Sequence, residues 1–337
     1  MVGHDQGLSV LSVIVPSRDR GPFLQRALLS MQEQSLPQDQ FEVLVIDNGS
    51  SDDTAAVAAA MQSQSPNVRY FLEPRPGLHA GRHRGLKEAA GDVLVFADDD
   101  IRATPDWLAA IAENFEDPAV VMAGGNNYPD FLVPPPAWLE RLWRQPSLGG
   151  QAISMLSVLS LPEGRREISP LLVWGCNFSI RRQVLLDAGG FHPDAMPLEL
   201  IRFRGDGETH VSSHVAARGL RCVFDSRASV HHAVPAERMT LEYFRKRAYN
   251  QGISDSYTQL RAATGAEDRS SRGVLALARG VVHGLHARVR EFGPQAAELG
   301  ELRRAVRAGR QEGFTYHRMA YRQDAEVRDW VHKADYF

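Results

Sequence analysis

Between residues 10 and 125, short runs of β-branched and aliphatic residues alternate with longer segments whose apolar positions recur every three to four residues. The runs at 10–15, 41–46, 68–72, 93–97 and 120–123 predict strands. The segments at 23–34, 54–62, 78–90 and 107–115 predict helices, the last capped by Thr104 with Pro105 at its first position. Such alternation specifies an α/β fold, a mostly parallel twisted sheet with helices on both faces. From 129 to about 170 the chain is rich in Pro and Gly and predicts an irregular insertion that shapes a binding face. Strand character returns at 171–180 and 220–224, with helices at 181–188 and 209–218. Beyond about 240 the pattern is wholly helical and rich in arginine. The chain thus divides into an α/β half at 9–125, a second half of the same domain at 126–239, and a helical extension at 240–337.

The chemistry gathers where strands end. Asp98, Asp99 and Asp100 follow the apolar run at 93–97, placing three carboxylates where a buried strand emerges into solvent. Adjacent carboxylates repel, and a hard divalent cation with oxygen ligands resolves that repulsion; a solvated, turn-forming cluster is the plainer alternative. The first strand ends in Pro16-Ser17-Arg18-Asp19-Arg20 and the second in Asp47-Asn48-Gly49-Ser50-Ser51-Asp52. Parallel strands point the same way, so both ends share one sheet edge with the aspartate triplet. This edge suits a sugar nucleotide, with Asp47 accepting from the base, Asp98 from the ribose, and Asp100 holding a metal on the diphosphate. Taken singly, Asp47 is an ordinary turn or N-cap residue.

Strand-Pro-Ser-Arg, strand-Asp-Asn-Gly-Ser-Ser-Asp, Pro-Gly-(x)₄-Arg-(x)₂-Gly and strand-Asp-Asp-Asp, in this order, resemble the GT-A fold glycosyltransferases of family 2 across residues 9–255. The resemblance implies inverting, Mn²⁺- or Mg²⁺-dependent transfer of a sugar from a nucleoside diphosphate donor to an acceptor hydroxyl. It assigns Pro16, Arg18, Asp47, Asn48, Arg82, Asp98 and Asp99 to the nucleotide-sugar site, with Arg82 near the diphosphate. The metal falls to Asp100 and to one of His231 and His232, with His232 favoured. His83 departs from the family, which commonly has Asn there, and as a residue on its own it reads as solvent-facing. Inversion needs a general base opposite the leaving group. Gly205-Asp206-Gly207-Glu208 at a helix start offers Glu208 first and Asp206 second, where the family usually has Glu-Asp; capping of the helix is the bland use of both. Trp174, Gly175 and Asn177 match the segment beneath acceptor and donor sugar, although a buried strand with Trp174 in the core reads equally well. Cys176 reads as a small core residue. The Gln-x-x-Arg-Trp motif of processive synthases is absent, which implies single transfers.

With 43% hydrophobic and 23% charged residues and a net charge of −3, the 337-residue chain has the composition of a soluble enzyme and no nucleic-acid preference. Two cysteines without metal spacing point to a reducing, cytoplasmic compartment. Residues 1–8 are polar and do not read as a signal peptide, and no apolar run reaches a membrane span. The basic amphipathic stretch at 274–292 leaves open peripheral contact with the inner face of a membrane, or packing against the catalytic domain or a second subunit in a homodimer. The expected partners are a nucleoside diphosphate sugar, with UDP-sugars first, and a glycan, lipid-linked or small-molecule acceptor in glycan or polysaccharide biosynthesis. A sugar-phosphate nucleotidyltransferase would open with a Gly-rich loop, where this chain has Pro16-Ser17-Arg18. A catalytically degenerate carbohydrate-binding module is the non-enzymatic alternative, since fold does not fix function.

Overall fold

The computed structural model describes residues 11–263 and 294–337. Strand β1 (Leu11–Ser17) is buried along its whole length and pairs in parallel with β2 (Phe41–Asp47) and β4 (Val93–Ala97), while β3 (Val68–Leu72) extends the sheet beyond β2. Helices α1 (Gly21–Gln32), α2 (Thr54–Gln64) and α3 (Leu78–Glu88) make the crossovers. Along β1 the side chains alternate between two cores: Val13 and Val15 meet Leu24 and Leu28, whereas Ile14 meets Leu86, Phe96 and Phe178. Burial on both faces explains why these strands read as continuous apolar runs.

The register of β1 on β2 sets Ser17 level with Asp47, so the strand ends and the acidic turn after β4 open on one edge, as the alternation predicted. After β5 (Ile101–Ala103) and α4 (Trp107–Glu116), β6 (Val120–Gly124) joins the same sheet. The segment after β6 contributes β7 (Asn127–Phe131), α5 (Ala137–Arg144), β8 (Pro146–Ser147), β9 (Gly150–Ile153), β10 (Val158–Ser160) and β11 (Arg165–Glu167). It is therefore not an irregular insertion. With β5 and the unforeseen β14 (Val230–Val234), strands β7 to β10 form a second, six-stranded sheet. These strands are two to five residues long and several of their partners are remote in sequence, with His232 opposite Ile101, so no local pattern announces them.

Strand β12 (Asn177–Arg181) runs antiparallel between β4 and β6, and residues 170–172 form a 3₁₀ turn rather than continuing the strand predicted from 171. Helix α6 (Arg182–Asp187), helix α7 (Glu208–Ala217) and β13 (Arg221–Asp225) complete the eight-stranded sheet, ordered β11-β13-β6-β12-β4-β1-β2-β3. It is mostly parallel and draws strands from both sides of residue 125.

Helix α8 (Leu241–Ala263) packs along the helix Pro294–Gln323. Their backbones touch at Gly313, where a Cβ would overlap the Tyr249 carbonyl. Helix Ala325–Val331 follows, and residues 335–337 fold back onto α3. There His83 is buried rather than solvent-facing: its Nε2 accepts from the Phe191 N–H at 2.9 Å, Nδ1 donates to the Tyr336 carbonyl at 3.0 Å, and the Phe337 ring packs against it at a tilt. The tail covers a helix face that the sequence pattern leaves polar. Among the described residues no helix is long and apolar enough to cross a membrane, and the basic stretch at 274–292 lies outside them.

Candidate active site

The ends of β1, β2 and β4, the N-terminal half of α3, the loop before α7 and one face of α8 enclose a cleft of about 460 Å³. Pro16, Arg18, Asn48, Arg82, Asp98, Asp99, Gly175, Glu208 and His232 line it, bringing together residues spread over more than two hundred positions.

At its floor, ligand atoms of Asp98, Asp100 and His232 lie within 4.8 Å of one another. His232 Nδ1 is 2.9 Å from the Leu156 carbonyl and donates to it, which turns Nε2 toward Asp100 Oδ1 at 3.2 Å. Among the described residues Asp100 Oδ1 has no hydrogen-bond partner, and the Nε2 that faces it also lies 3.5 Å from Arg238 Nη1. A cation between Oδ1 and Nε2 would give both atoms a partner. His231, its neighbour on β14, points to the other side and meets Tyr128, with ring centroids 5.5 Å apart.

Asp100 Oδ2 accepts from Arg20 at 3.0 Å and Arg238 at 2.8 Å. Burial alone would raise the Asp100 pKa, but His232, Arg238 and Arg20 together hold it well below the usual carboxylate range. Asp99 accepts from Ser17 Oγ at 2.7 Å and Arg20 at 3.0 Å, and burial still pushes it up to about 7. Asp98 is raised too, first by burial, against the pull of Arg82. Arg20 and Arg238 were not among the sequence candidates. Arg20 lies in the loop after the first strand, next to the candidate Arg18, but Arg238 follows a strand that the pattern did not reveal.

Arg82 is buried on α3 beneath the cleft. One guanidinium nitrogen lies 3.8 Å from Asp98 Oδ1 and 3.2 Å from the Gly175 carbonyl, and the other is 3.4 Å from Glu208 Oε2. Phe191 supports the cation from one face, with Cζ 5.0 Å from the ring centroid. Gly175 is required at its place because a Cβ would strike this guanidinium.

Glu208 is the first residue of α7 and follows Gly207, whose φ of +56° permits the turn. Its Oε1 accepts from the Gly175 N–H at 3.4 Å, and its side chain remains about one quarter exposed to the cleft. Asp206 does not share this position. Its carboxylate is buried, with Oδ1 2.6 Å from His192 Nδ1 and Oδ2 accepting from Thr258 at 2.6 Å. Burial opposes its ionisation, yet His192, His210 and Thr258 lower it to about 2. A two-residue shift along the chain therefore separates a cleft carboxylate from one that braces α8.

Two further candidates sit behind the cleft. Asp47 accepts from the Ser50 N–H at 2.7 Å and from Tyr70 at 2.8 Å, so it stiffens the turn after β2 and is absent from the lining. Asn177 accepts from Trp107 Nε1 and donates to the Ala228 carbonyl, both at 2.9 Å, and is likewise absent from the lining. Trp174 donates its indole N–H to the Leu171 carbonyl at 3.2 Å and borders a smaller cavity of about 170 Å³ that shares Glu208 with the main cleft. Cys176 is buried and its thiol is raised well above the ordinary range by burial, which excludes a ready nucleophile.

Residues 12–187, more than half of the chain, match the glycosyl transferase family 2 model. Glycosyltransferase AglE of Haloferax volcanii is 31% identical over 120 residues, covering 35% of this chain and 40% of its own length. The succinoglycan biosynthesis protein ExoM of Rhizobium meliloti is 25% identical over 235 residues, 69% of this chain and 70% of ExoM. Among solved structures, a mannosyltransferase from Pyrobaculum calidifontis in complex with GDP-Man and Mn²⁺ aligns with a TM-score of 0.58 at 19% identity, covering 97% of this chain and 84% of that one. S. aureus TarS 1-349 in complex with UDP aligns at 0.50 with 17% identity, over 93% and 91% of the two chains. With the family match resting on the strands and loops that build the cleft, the chain belongs to the family 2 glycosyltransferases and carries their GT-A fold.

Proposed function

We propose that this glycosyltransferase moves one sugar from a nucleoside diphosphate sugar to an acceptor hydroxyl with inversion at the anomeric carbon, and that Glu208 is its general base. The observation that carries the reading is the position of Arg82, one guanidinium between Asp98 of the acid cluster and Glu208. It links the place where a leaving diphosphate would gather charge to the place where an acceptor would lose a proton. Two carboxylates and an imidazole suit a divalent first-row metal or Mg²⁺, and the partnerless Oδ1 of Asp100 facing Nε2 of His232 is an opening that such an ion fits. Mn²⁺ or Mg²⁺ held there supplies, when bound, a Lewis acid for the charge on the diphosphate.

The remaining work falls to the protein. Pro16, Arg18 and Asn48 border the nucleotide end of the cleft, and Arg20 and Arg82 supply fixed positive charge near the phosphates. Glu208 takes the proton from the acceptor hydroxyl as its oxygen bonds to the anomeric carbon and the bond to the diphosphate breaks. Arg82 and the Gly175 N–H orient the Glu208 carboxylate. The same reading makes Asp100→Ala decisive. The wild-type chain should melt higher with one of UDP, GDP, dTDP or CDP when Mn²⁺ is present, and Asp100→Ala should lose that metal-dependent increment. Equal shifts with and without Mn²⁺ in both proteins would remove the metal from the site, and retention of configuration in the product would remove Glu208 as base.

A further inference from the structure

The smaller cavity shares Glu208 with the main cleft but contains none of the acid-cluster residues, which makes it a route for an acceptor hydroxyl to this carboxylate apart from the donor diphosphate. Trp174, Leu171, Val173 and Met155 offer an apolar surface of the sort on which a sugar ring lies, and Arg204 and Arg247 share the lining with Thr209, Ser212 and Gln251.

Arg204 is only 8% exposed and pairs with Asp194, and its buried Nε has no hydrogen-bond partner among the described residues. Arg247 projects from α8 into both cavities, is half-buried, and has neither a hydrogen bond nor an ion pair among the described residues. Nearly every other arginine around the cleft is committed: Arg20 and Arg238 to the acid cluster, Arg82 to Glu208 and Asp98. A neutral acceptor closing this cavity would desolvate Arg247 without giving it a partner, a cost that an oxyanion removes. The planar fork of arginine matches carboxylate and phosphate geometry.

We infer that the acceptor is acidic, a sugar carrying a carboxylate or phosphate group close to the accepting hydroxyl, and that Arg247 reads this charge. The inference rests on Glu208 being the base of the proposed transfer. It makes Arg247 a specificity residue on the acceptor side rather than a further donor contact.

The test is calorimetric titration of the full chain, loaded with Mn²⁺ and whichever nucleoside diphosphate stabilises it, with glucose, glucuronate and glucose 6-phosphate. The three share one ring and differ at one carbon, so they separate charge from sugar and carboxylate from phosphate. At least one acidic probe should bind tenfold or more tightly than glucose, with an affinity that falls as salt rises. Arg247→Gln should erase that preference while its nucleoside diphosphate isotherm stays that of the wild type. Equal binding of glucose, no binding by either acidic probe, or an undiminished preference in Arg247→Gln would each overturn the inference. Loss of nucleoside diphosphate affinity in Arg247→Gln would also overturn it, by moving Arg247 to the donor. Failure of every nucleotide to bind the wild-type chain would instead count against the proposed transfer itself.

Discussion

The seat of the chain's last residues on α3 should make this protein acid-sensitive through His83. With Nε2 accepting from the Phe191 N–H, the ring has its single proton on Nδ1, and a second proton would set N–H against N–H. Burial, only partly offset by the Tyr336 carbonyl, lowers the His83 pKa to about 4. An unfolded histidine titrates near 6.5, so between these values the unfolded chain holds more protons than the folded one. The contribution is complete above pH 6.5 and is lost as pH falls toward 4. One proton corresponds to a slope of about 1.4 kcal/mol per pH unit, so going from pH 7 to pH 5 costs about 2 kcal/mol through this residue alone. His79 and His210, lowered mainly by burial to about 3, add in the same direction. Thermal unfolding of wild type and His83→Asn from pH 8 to pH 5 isolates the effect. The variant should melt lower at pH 8, having lost the contact with Phe337, but decline less steeply, closing the gap by about 2 kcal/mol or several degrees. Parallel curves for the two proteins would refute the neutral, tautomer-locked ring.

The two carboxylates before and at the start of α7 should separate cleanly. Glu208→Gln should lower turnover by about 10²–10⁴-fold with nucleotide binding intact, measured as product formation beside a thermal shift. Asp206→Asn, which weakens charge-assisted bonds to His192 and Thr258, should cost about 2 kcal/mol of stability while the folded fraction keeps near wild-type turnover; a catalytic collapse without destabilisation would restore Asp206 as a base. Gly175→Ala should displace Arg82 and crowd Glu208, whose Oε1 would lie 3.1 Å from the new Cβ, and turnover should fall far more than the melting temperature.

Repulsion among Asp98, Asp99 and Asp100 at a strand end, the loop after β1, and the alternation of strand and helix are local facts, and they carried the α/β fold, one edge of the cleft and the family resemblance. Glu208 and Asp206 show where such reading stops. Each follows a glycine at a helix start, and only the packing of His192 and Thr258 around one of them decides that it is buried. The same holds for His231 and His232, adjacent in sequence and separated by the alternation of a strand whose partners lie about a hundred residues away. His83 read as exposed because its cover, Phe191 and residues 336–337, comes from distant parts of the chain. Arg82 spans Asp98 and Glu208, and Arg247 faces the smaller cavity with no hydrogen bond or ion pair among the described residues, because helices remote in sequence close over one sheet edge. Residue type and strand-end position set which chemistry was available; long-range packing, by choosing which charges keep a partner and which face the cleft, decided where it is used.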